Sequence, residues 1–407
     1  MPPLDIDFVR SQFPAFSEPS LEGFAHFENA GGSYACGQVI EWLDHYYRRT
    51  KLQPRYDFAP SRHGGEAMTR ARQRMAAWLG VDEDEVSFGP STTQNTYVVA
   101  QALRGSLQPG DEIIVTNQDH EANIGCWRRL EADGIVLREW RVDEESGELD
   151  PAGLDALLAE RTKVVAFTHC SNIVGSVHPV REWVERIHAA GALAFVDGVA
   201  FCPHGLPDVA ALGADLYTFS LYKVYGPHQG IMVMRKALNE ALPNQGHFFN
   251  SGIANKRFTP AGPDHAQVAA TNGVMDYFEA LDKHHGGNGG AKAPERVREM
   301  LHQREQSLLQ PLLDFVSGHP RARLIGKSGI EGRAPTVSFA VRGQPASELA
   351  SKLGRENIGV GVGNCYAYRL IEALGIDPDE GVLRTSLVHY TSEGEVTRLL
   401  ETLDRLL

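Results

Sequence analysis

The sequence predicts an α/β protein in which a large unit on a mostly parallel sheet is followed by a smaller α+β unit. Three observations carry this. Short apolar runs bounded by Gly and Pro recur between residues 85 and 235, and runs of that length read as buried strands. Helical patterns separate them, and alternating strands and helices indicate a mostly parallel sheet with helices on both faces. After Met234 the pattern loosens, and the C-terminal third mixes short strands with long amphipathic helices.

The chain has 407 residues, 42% hydrophobic, 8% aromatic and 22% charged, the composition of an ordinary globular protein. That length corresponds to about two to three domains. The net charge of −13 argues against a nucleic-acid surface, which needs a basic footprint. Five cysteines with no C-x-x-C spacing point to reduced thiols in a cytoplasmic protein and not to a zinc site. The opening stretch, Met1 to Phe13, is acidic and amphipathic, so neither a signal peptide nor a membrane span is expected.

Residues 5–13 predict a short helix capped by Asp5, with Ile6, Val9 and Phe13 on one face. Phe27 to Ser33 reads as a strand end running into a tight Gly31-Gly32 turn. A helix is predicted over 37–50, a Pro-, Arg- and Gly-rich loop over 53–65, and a second helix over 66–80 with Gly80 just past its end. The strand 85–88 leads into Gly89-Pro90-Ser91-Thr92-Thr93 and then a helix. Small hydroxylated residues opening a helix after a strand make an anion site, because free N–H groups and the dipole point at the ligand. A plain N-cap reads the same way in sequence.

The strand 111–116 is followed by Gln118-Asp119-His120-Glu121-Ala122-Asn123, and a lone histidine at a strand end is more often structural than catalytic. The strand 164–168 leads to His169 through Gly175, and a helix is predicted over 181–190. Beyond Met234, His284 to Gly290 has the composition of a flexible linker. Its two histidines have no neighbouring carboxylate, so a loop and no metal site is expected there. A long helix over 293–316, strands over 322–326 and 335–341, a helix over 345–354, and a strand at Gly381 to Leu387 before a Glu-rich helix make up the smaller unit. Gly359 to Tyr366 is Gly-rich but lacks the G-x-G-x-x-G order of a dinucleotide site.

The most informative stretch is 194–235. One apolar run ends in Asp197, and Ser220-Leu221-Tyr222-Lys223 ends another. An acid and a lysine at strand ends lie where open α/β sheets place their ligands. The pair suits pyridoxal 5′-phosphate. A lysine amine forms a Schiff base with its aldehyde, and a carboxylate keeps its pyridine nitrogen protonated. The hydroxyls of Ser220 and Tyr222 suit its phosphate. A strand-end cap and a solvated loop lysine would read alike from spacing alone.

The stretch Val196-Asp197-Gly198, followed by Ala214 to Pro227 (ADLYTFSLYKVYGP), resembles the class V aminotransferase superfamily, in its cysteine desulfurase/selenocysteine lyase-like branch. That branch carries a VD-(G/A) strand and an S-x-(H/Y)-K-x-(Y/F)-G-P loop, and the resemblance runs from about Asp7 to the C-terminus. It implies a pyridoxal-phosphate-dependent transferase of fold type I, with a large domain of the seven-stranded type over 21–275 and a small α+β domain over 1–20 and 276–407. By the same resemblance Lys223 and Asp197 take the roles above, and Thr92 and Thr93 form the phosphate cup. His120, in the place of an E-H-x-A-N histidine, stacks on the cofactor ring and shuttles protons. Asn172 bonds near the ring oxygen, Arg384 clamps the substrate α-carboxylate, and Asn29 and Ala30 approach the substrate side. The loop 53–65 reaches toward a partner, implying a homodimer with the site at the subunit interface and a small amino acid as substrate.

The chain departs from that pattern in three places. Ala200 stands where desulfurases place Gln or His, and Gly262 where a threonine would reach the partner's phosphate. In the R-x-G-x-x-C segment Gly361 replaces the arginine, Cys365 falls one residue early, and Tyr366 takes the place of the nucleophilic cysteine. Tyr366 therefore joins Lys223, His120 and Asp197 as a catalytic candidate. The resemblance implies cleavage of the C–S or C–Se bond of a cysteine-like amino acid. The alternatives are transamination or epimerisation of an α-amino acid, and a non-enzymatic pyridoxal-phosphate-binding module, for which no DNA-binding segment or basic face speaks.

Overall fold

Twelve strands and the helices between them form two sheets in the computed structural model, which describes residues 3–407. The strands are β1 (Ala25–Phe27), β2 (Val86–Gly89), β3 (Glu112–Thr116), β4 (Val136–Trp140), β5 (Thr162–Thr168), β6 (Leu193–Asp197), β7 (Leu216–Ser220), β8 (Gly230–Met234), β9 (Ala322–Ile325), β10 (Thr336–Val341), β11 (Ile358–Gly363) and β12 (Val382–Ser386). The seven-stranded sheet has the order β2-β8-β7-β6-β5-β3-β4. Strands β3 to β7 pair in parallel, and β8 is antiparallel to both of its neighbours. The short link from β7 to β8 leaves no room for a crossover helix, so the chain turns back on itself there. Because β2 and β7 both oppose β8, the strands β2, β3, β5, β6 and β7 all end on one side. Asp197, Ser220 and the segments leading to Thr92, His120 and Asn172 meet there.

Burial follows the sequence pattern. β3 and β7 are buried at every position, whereas the edge strand β4 alternates toward solvent. Trp140, Trp183, Phe167, Ile187 and Val196 pack on one side of this sheet, and Trp127, Ile113, Phe195 and Met232 on the other.

The second sheet has the order β1-β11-β12-β10-β9, with β1 parallel to β11 and the other pairs antiparallel. The helix Ala293–Gly318 lays Leu308, Leu312 and Val316 on it, against Val337, Phe339 and Leu383. Strand β1 thus lies in this sheet, although the expected division at residue 21 gave it to the larger unit.

Several boundaries differ from the expected ones. The predicted loop over 53–65 ends early, because the helix Ala59–Leu79 begins there with Pro60 in its first turn, a position that suits proline. The predicted helix over 37–50 is α-helical only over Gly37–His45 and π-wound over Tyr46–Thr50. The 20-residue helix His265–His284 was not predicted. It is buried on nearly every face, so its sequence shows no amphipathic stripe. At Gly273 a Cβ would come within 2.5 Å of the Val39 backbone, so only glycine allows the close helix crossing there.

That helix also takes His284 out of the expected linker. His284 stacks on Phe8 at 3.7 Å and lies 2.9 Å from the Asp5 carboxylate, while His285 Nε2 accepts the Asp5 N–H. Both histidines fasten the N-terminal helix Ile6–Ser11, whose cap is Asp5. Among the described residues no group of three His, Cys, Asp or Glu could hold a metal ion. No described helix is long and apolar enough to cross a membrane.

Candidate active site

A cavity of about 490 Å³ opens at the shared strand ends, and Thr92, His120, Asn172, Asp197, Lys223 and Tyr366 line it. Ser91 caps the helix Thr92–Arg104 by accepting the Gln94 N–H. The N–H groups of Thr92 and Thr93 belong to that first turn, where no intrahelical acceptor exists. Thr92 Oγ1 lies 2.8 Å from Ser220 Oγ at the end of β7, and both residues line the cavity with Thr93 and Tyr222. Gly230 makes this corner possible: a Cβ there would come within 2.4 Å of Ser91, so β8 presses directly on the helix start. The Tyr222 ring stacks on His228 at 4.8 Å, with 6° between the planes. His228 also lines the cavity and was missed in the sequence. Its only signal was a histidine directly after the Gly226-Pro227 pair. Hydroxyls, free N–H groups and an imidazole around a helix N-terminus fit a phosphate group.

Deeper in, Asp197 is 3% exposed and Lys223 5%. Asp197 Oδ1 accepts the Val199 N–H at 2.8 Å. Burial raises the Asp197 carboxyl to about 6, against the opposing effects of that hydrogen bond and of the Lys223 charge. Burial, and then the Arg384 charge, bring the Lys223 amine down to about 8, although Asp197 and Glu28 oppose the shift. A lysine that sheds its proton near neutrality is a nucleophile in waiting. A buried carboxylate at the end of β6 suits a cationic ring nitrogen, so the residues fit pyridoxal phosphate at both ends.

His120 begins the helix Glu121–Arg128, and its Nδ1 accepts the Ala122 N–H at 3.0 Å. Burial, then the charges of Lys223 and Arg384, push it down to about 3, so the imidazole is neutral and carries its proton on Nε2. Asp119 accepts from Thr116 Oγ1 and from Asn123 Nδ2, which fixes the turn that presents the ring. The Tyr366 ring faces His120 at 5.2 Å.

Cys365 and Tyr366 both have left-handed backbones, with φ of 46° and 62°. Such residues persist where their surroundings hold them. Here Asn172 Nδ2 donates to the Cys365 carbonyl at 2.9 Å, and the Glu121 N–H donates to the Tyr366 carbonyl at 2.8 Å. The turn leaves the Tyr366 side chain at the rim of the cavity, 72% exposed, while the Cys365 thiol lies against the Val362 and Gly363 carbonyls. Burial raises that thiol above its ordinary value, with Arg384 opposing.

The remaining expected substrate contacts are arranged differently. Arg384 is buried behind the cavity wall, where it donates to the Asn172 carbonyl at 3.1 Å and pairs with Glu28. Asn29 points away, because its amide donates to the His26 and Ser386 carbonyls and accepts from Tyr390. The Ala30 N–H is taken by Ser386 Oγ. Neither Asn29 nor Ala30 is among the residues lining the cavity, since both bond to Ser386 on β12. Ala200 lines the cavity and brings no polar side chain to it.

Residues 25–399 match the family model described as aminotransferase class V. An aminotransferase-like protein of Gibberella zeae is 34% identical, with 99% of this chain and 98% of that protein aligned. A cysteine desulfurase of Pectobacterium atrosepticum is 29% identical over 98% of both chains. Among solved structures, a cysteine desulfurase from Thermococcus onnurineus superimposes with a TM-score of 0.86 at 23% identity, covering 98% of this chain and 97% of the other. One from Escherichia coli gives 0.82 at 24% identity over 98% of both chains. At those identities the shared property is the fold.

Proposed function

The chain belongs to the aminotransferase class V family, and from that premise we propose a pyridoxal-phosphate-dependent enzyme that cleaves the C–S or C–Se bond of a cysteine-like amino acid. The observation that carries this reading is one cavity joining a water-starved lysine amine, a buried carboxylate and a hydroxyl-lined helix start. Thr92, Thr93, Ser220 and Tyr222 would hold the phosphate, and Asp197 the ring nitrogen. His120 would cover one ring face and Lys223 would take the aldehyde. When bound, the cofactor supplies an electron sink for charge developing at the substrate α-carbon.

Lys223 would also serve as the base for the α-proton, and its lowered basicity suits that task near neutral pH. Arg384 would hold the α-carboxylate once Glu28 gives way. The neutral His120 donates from Nε2. Tyr366 stands at the cavity mouth, where its phenol can orient or protonate a leaving group.

Transamination is the second reading, and the Cys365 thiol, which speaks against a persulfide route, is compatible with it as with a direct-release lyase. That thiol is raised by burial and lies off the cavity, poorly suited to take sulfur as a thiolate. A lyase that releases its product directly, or a transaminase, needs no such thiol. Incubating the purified, cofactor-loaded protein with an amino-acid panel, reading pyruvate, alanine, sulfide and keto acid together, tests both. Sulfide or selenide release supports the lyase and keto acid with amino transfer the transaminase. A protein that takes up no pyridoxal phosphate ends the reading.

A homodimer is part of the proposal. Tyr56 (58% exposed), Phe248 (86%) and Phe249 (67%) are large apolar side chains left on the surface. Residues 53–55 and 247–263 meet there around a second cavity of about 370 Å³, which Gly262 helps to line. Exposed aromatics gathered beside a cavity mark an interaction surface. The five free cysteines support a reducing, cytoplasmic setting.

A further inference from the structure

Glu28 was not singled out in the sequence, and its carboxylate occupies Arg384. It follows β1, while Arg384 lies on β12, with β11 between the two strands. The two side chains meet because position 361 on β11, which pairs with Arg384, is glycine. A Cβ there would come within 2.7 Å of Glu28 Oε1 and 3.2 Å of Arg384 Nε. Gly31 makes room on the other side, since a Cβ there would meet Glu28 Oε2 at 1.8 Å. Two glycines therefore cradle one carboxylate against the guanidinium.

We propose that Glu28 is a built-in counter-ion which a substrate carboxylate must displace from Arg384, and that it restricts the site to amino acids with a single carboxylate. This rests on the proposed function, in which Arg384 is the carboxylate clamp. An arginine offers five N–H donors. One goes to Glu28 and one to the Asn172 carbonyl, and the buried Nε–H has no partner among the described residues. The guanidinium is thus already neutralised, yet it keeps donors in reserve. The Glu28 side chain is 29% exposed, against 4% for Arg384, so it is the partner free to swing out. A substrate with one carboxylate exchanges like for like at Arg384. A second carboxylate would meet the displaced Glu28 and also Glu121 on the cavity wall. Gly361 offers it no cation, Lys223 is engaged elsewhere, and Arg369 already faces Glu121 at 4.0 Å. Unpaired like charges in a partly desolvated site are a strong means of exclusion.

The test uses the cofactor-loaded protein and two four-carbon acids without an amine, butanoate and succinate, titrated by calorimetry. The wild type should bind succinate more weakly than butanoate. Glu28→Gln should bind butanoate roughly tenfold tighter, the size of one charge-assisted contact no longer competed for, and should narrow the gap to succinate. Gly361→Ala, whose methyl group pushes the carboxylate aside, should do the same. If Glu28 is only a strut between β1 and β12, both variants will bind butanoate no more tightly than the wild type, and the proposal falls. Cofactor uptake, read from colour, tests the function separately, and butanoate affinity in the coloured protein tests the counter-ion.

Discussion

Thr92 Oγ1 and Ser220 Oγ lie 2.8 Å apart, tying the first turn of a helix to the end of β7. Two buried hydroxyls that satisfy each other still have lone pairs and a rotatable proton to offer an anion. Thr92→Ala and Ser220→Ala should each weaken pyridoxal-phosphate binding roughly tenfold, the scale of one charge-assisted hydrogen bond, with little change in melting temperature of the cofactor-free protein. Equilibrium dialysis with the cofactor checks this. Unchanged affinity in both would mean that the phosphate sits elsewhere.

Much of this corner was legible in the sequence. Ser91-Thr92-Thr93 after a strand, Asp197 at the end of an apolar run and Lys223 past another were visible because strand ends and helix starts are local features. Glu28 and His228 were not. Glu28 matters only because β1 joins the second sheet and Gly361 leaves a gap, facts set by pairing between residues over three hundred positions apart. Asn29 and Ala30 lie beside β12, where Ser386 takes their polar groups. The helix His265–His284 escaped for the opposite reason: burial all round erased the periodicity that marks a helix.

Asp197→Asn keeps the shape of the ring-nitrogen site and removes its charge. The variant should still bind pyridoxal phosphate but lose roughly a hundredfold or more in turnover, the scale of removing one charge aimed at the reacting group. Steady-state kinetics beside an absorbance spectrum separate the two effects. Near-normal turnover would show that another group partners the ring.

The Lys223 amine attacks only when neutral. Burial and the Arg384 charge lower it from 10.5 to about 8 in the cofactor-free protein, so the neutral fraction grows as pH rises through about 8. The rate of cofactor capture should climb between about pH 7 and 9 and then level off, instead of rising through pH 10 as for an ordinary lysine. Arg384→Gln removes the second cause of the shift and should move the midpoint upward. Stopped-flow absorbance follows both, and Lys223→Ala should show no visible band at all. A midpoint near that of an exposed lysine would count against the buried-amine reading.

Phe248→Glu places a charge among the exposed aromatics that we assign to the dimer. Sedimentation should show wild-type dimers and a variant shifted toward monomers, with weaker cofactor retention if the partner completes the site. A variant that remains dimeric at low micromolar concentration would move the interface to another face.

The last expectation concerns the left-handed turn at Cys365 and Tyr366. A persulfide-forming enzyme needs a thiolate that reaches the substrate sulfur, and serine at that place abolishes transfer. Here burial raises the Cys365 thiol, and the turn sets Tyr366 at the cavity rim in its stead. Cys365→Ser, which changes one partly buried atom, should keep much of the wild-type activity. Tyr366→Phe retains the ring against His120 but removes the phenol, so it should lose more, roughly tenfold or beyond if the hydroxyl moves a proton in the reaction. Arg384→Ala should raise KM as well. A packed, inert cysteine predicts the same tolerance at 365, so the Tyr366 variant decides whether the phenol has a chemical role. Mass spectrometry after turnover with cysteine supplies the opposing outcome: a persulfide trapped on Cys365, with activity gone in the serine variant, would show that the turn opens and that the thiol is the nucleophile after all.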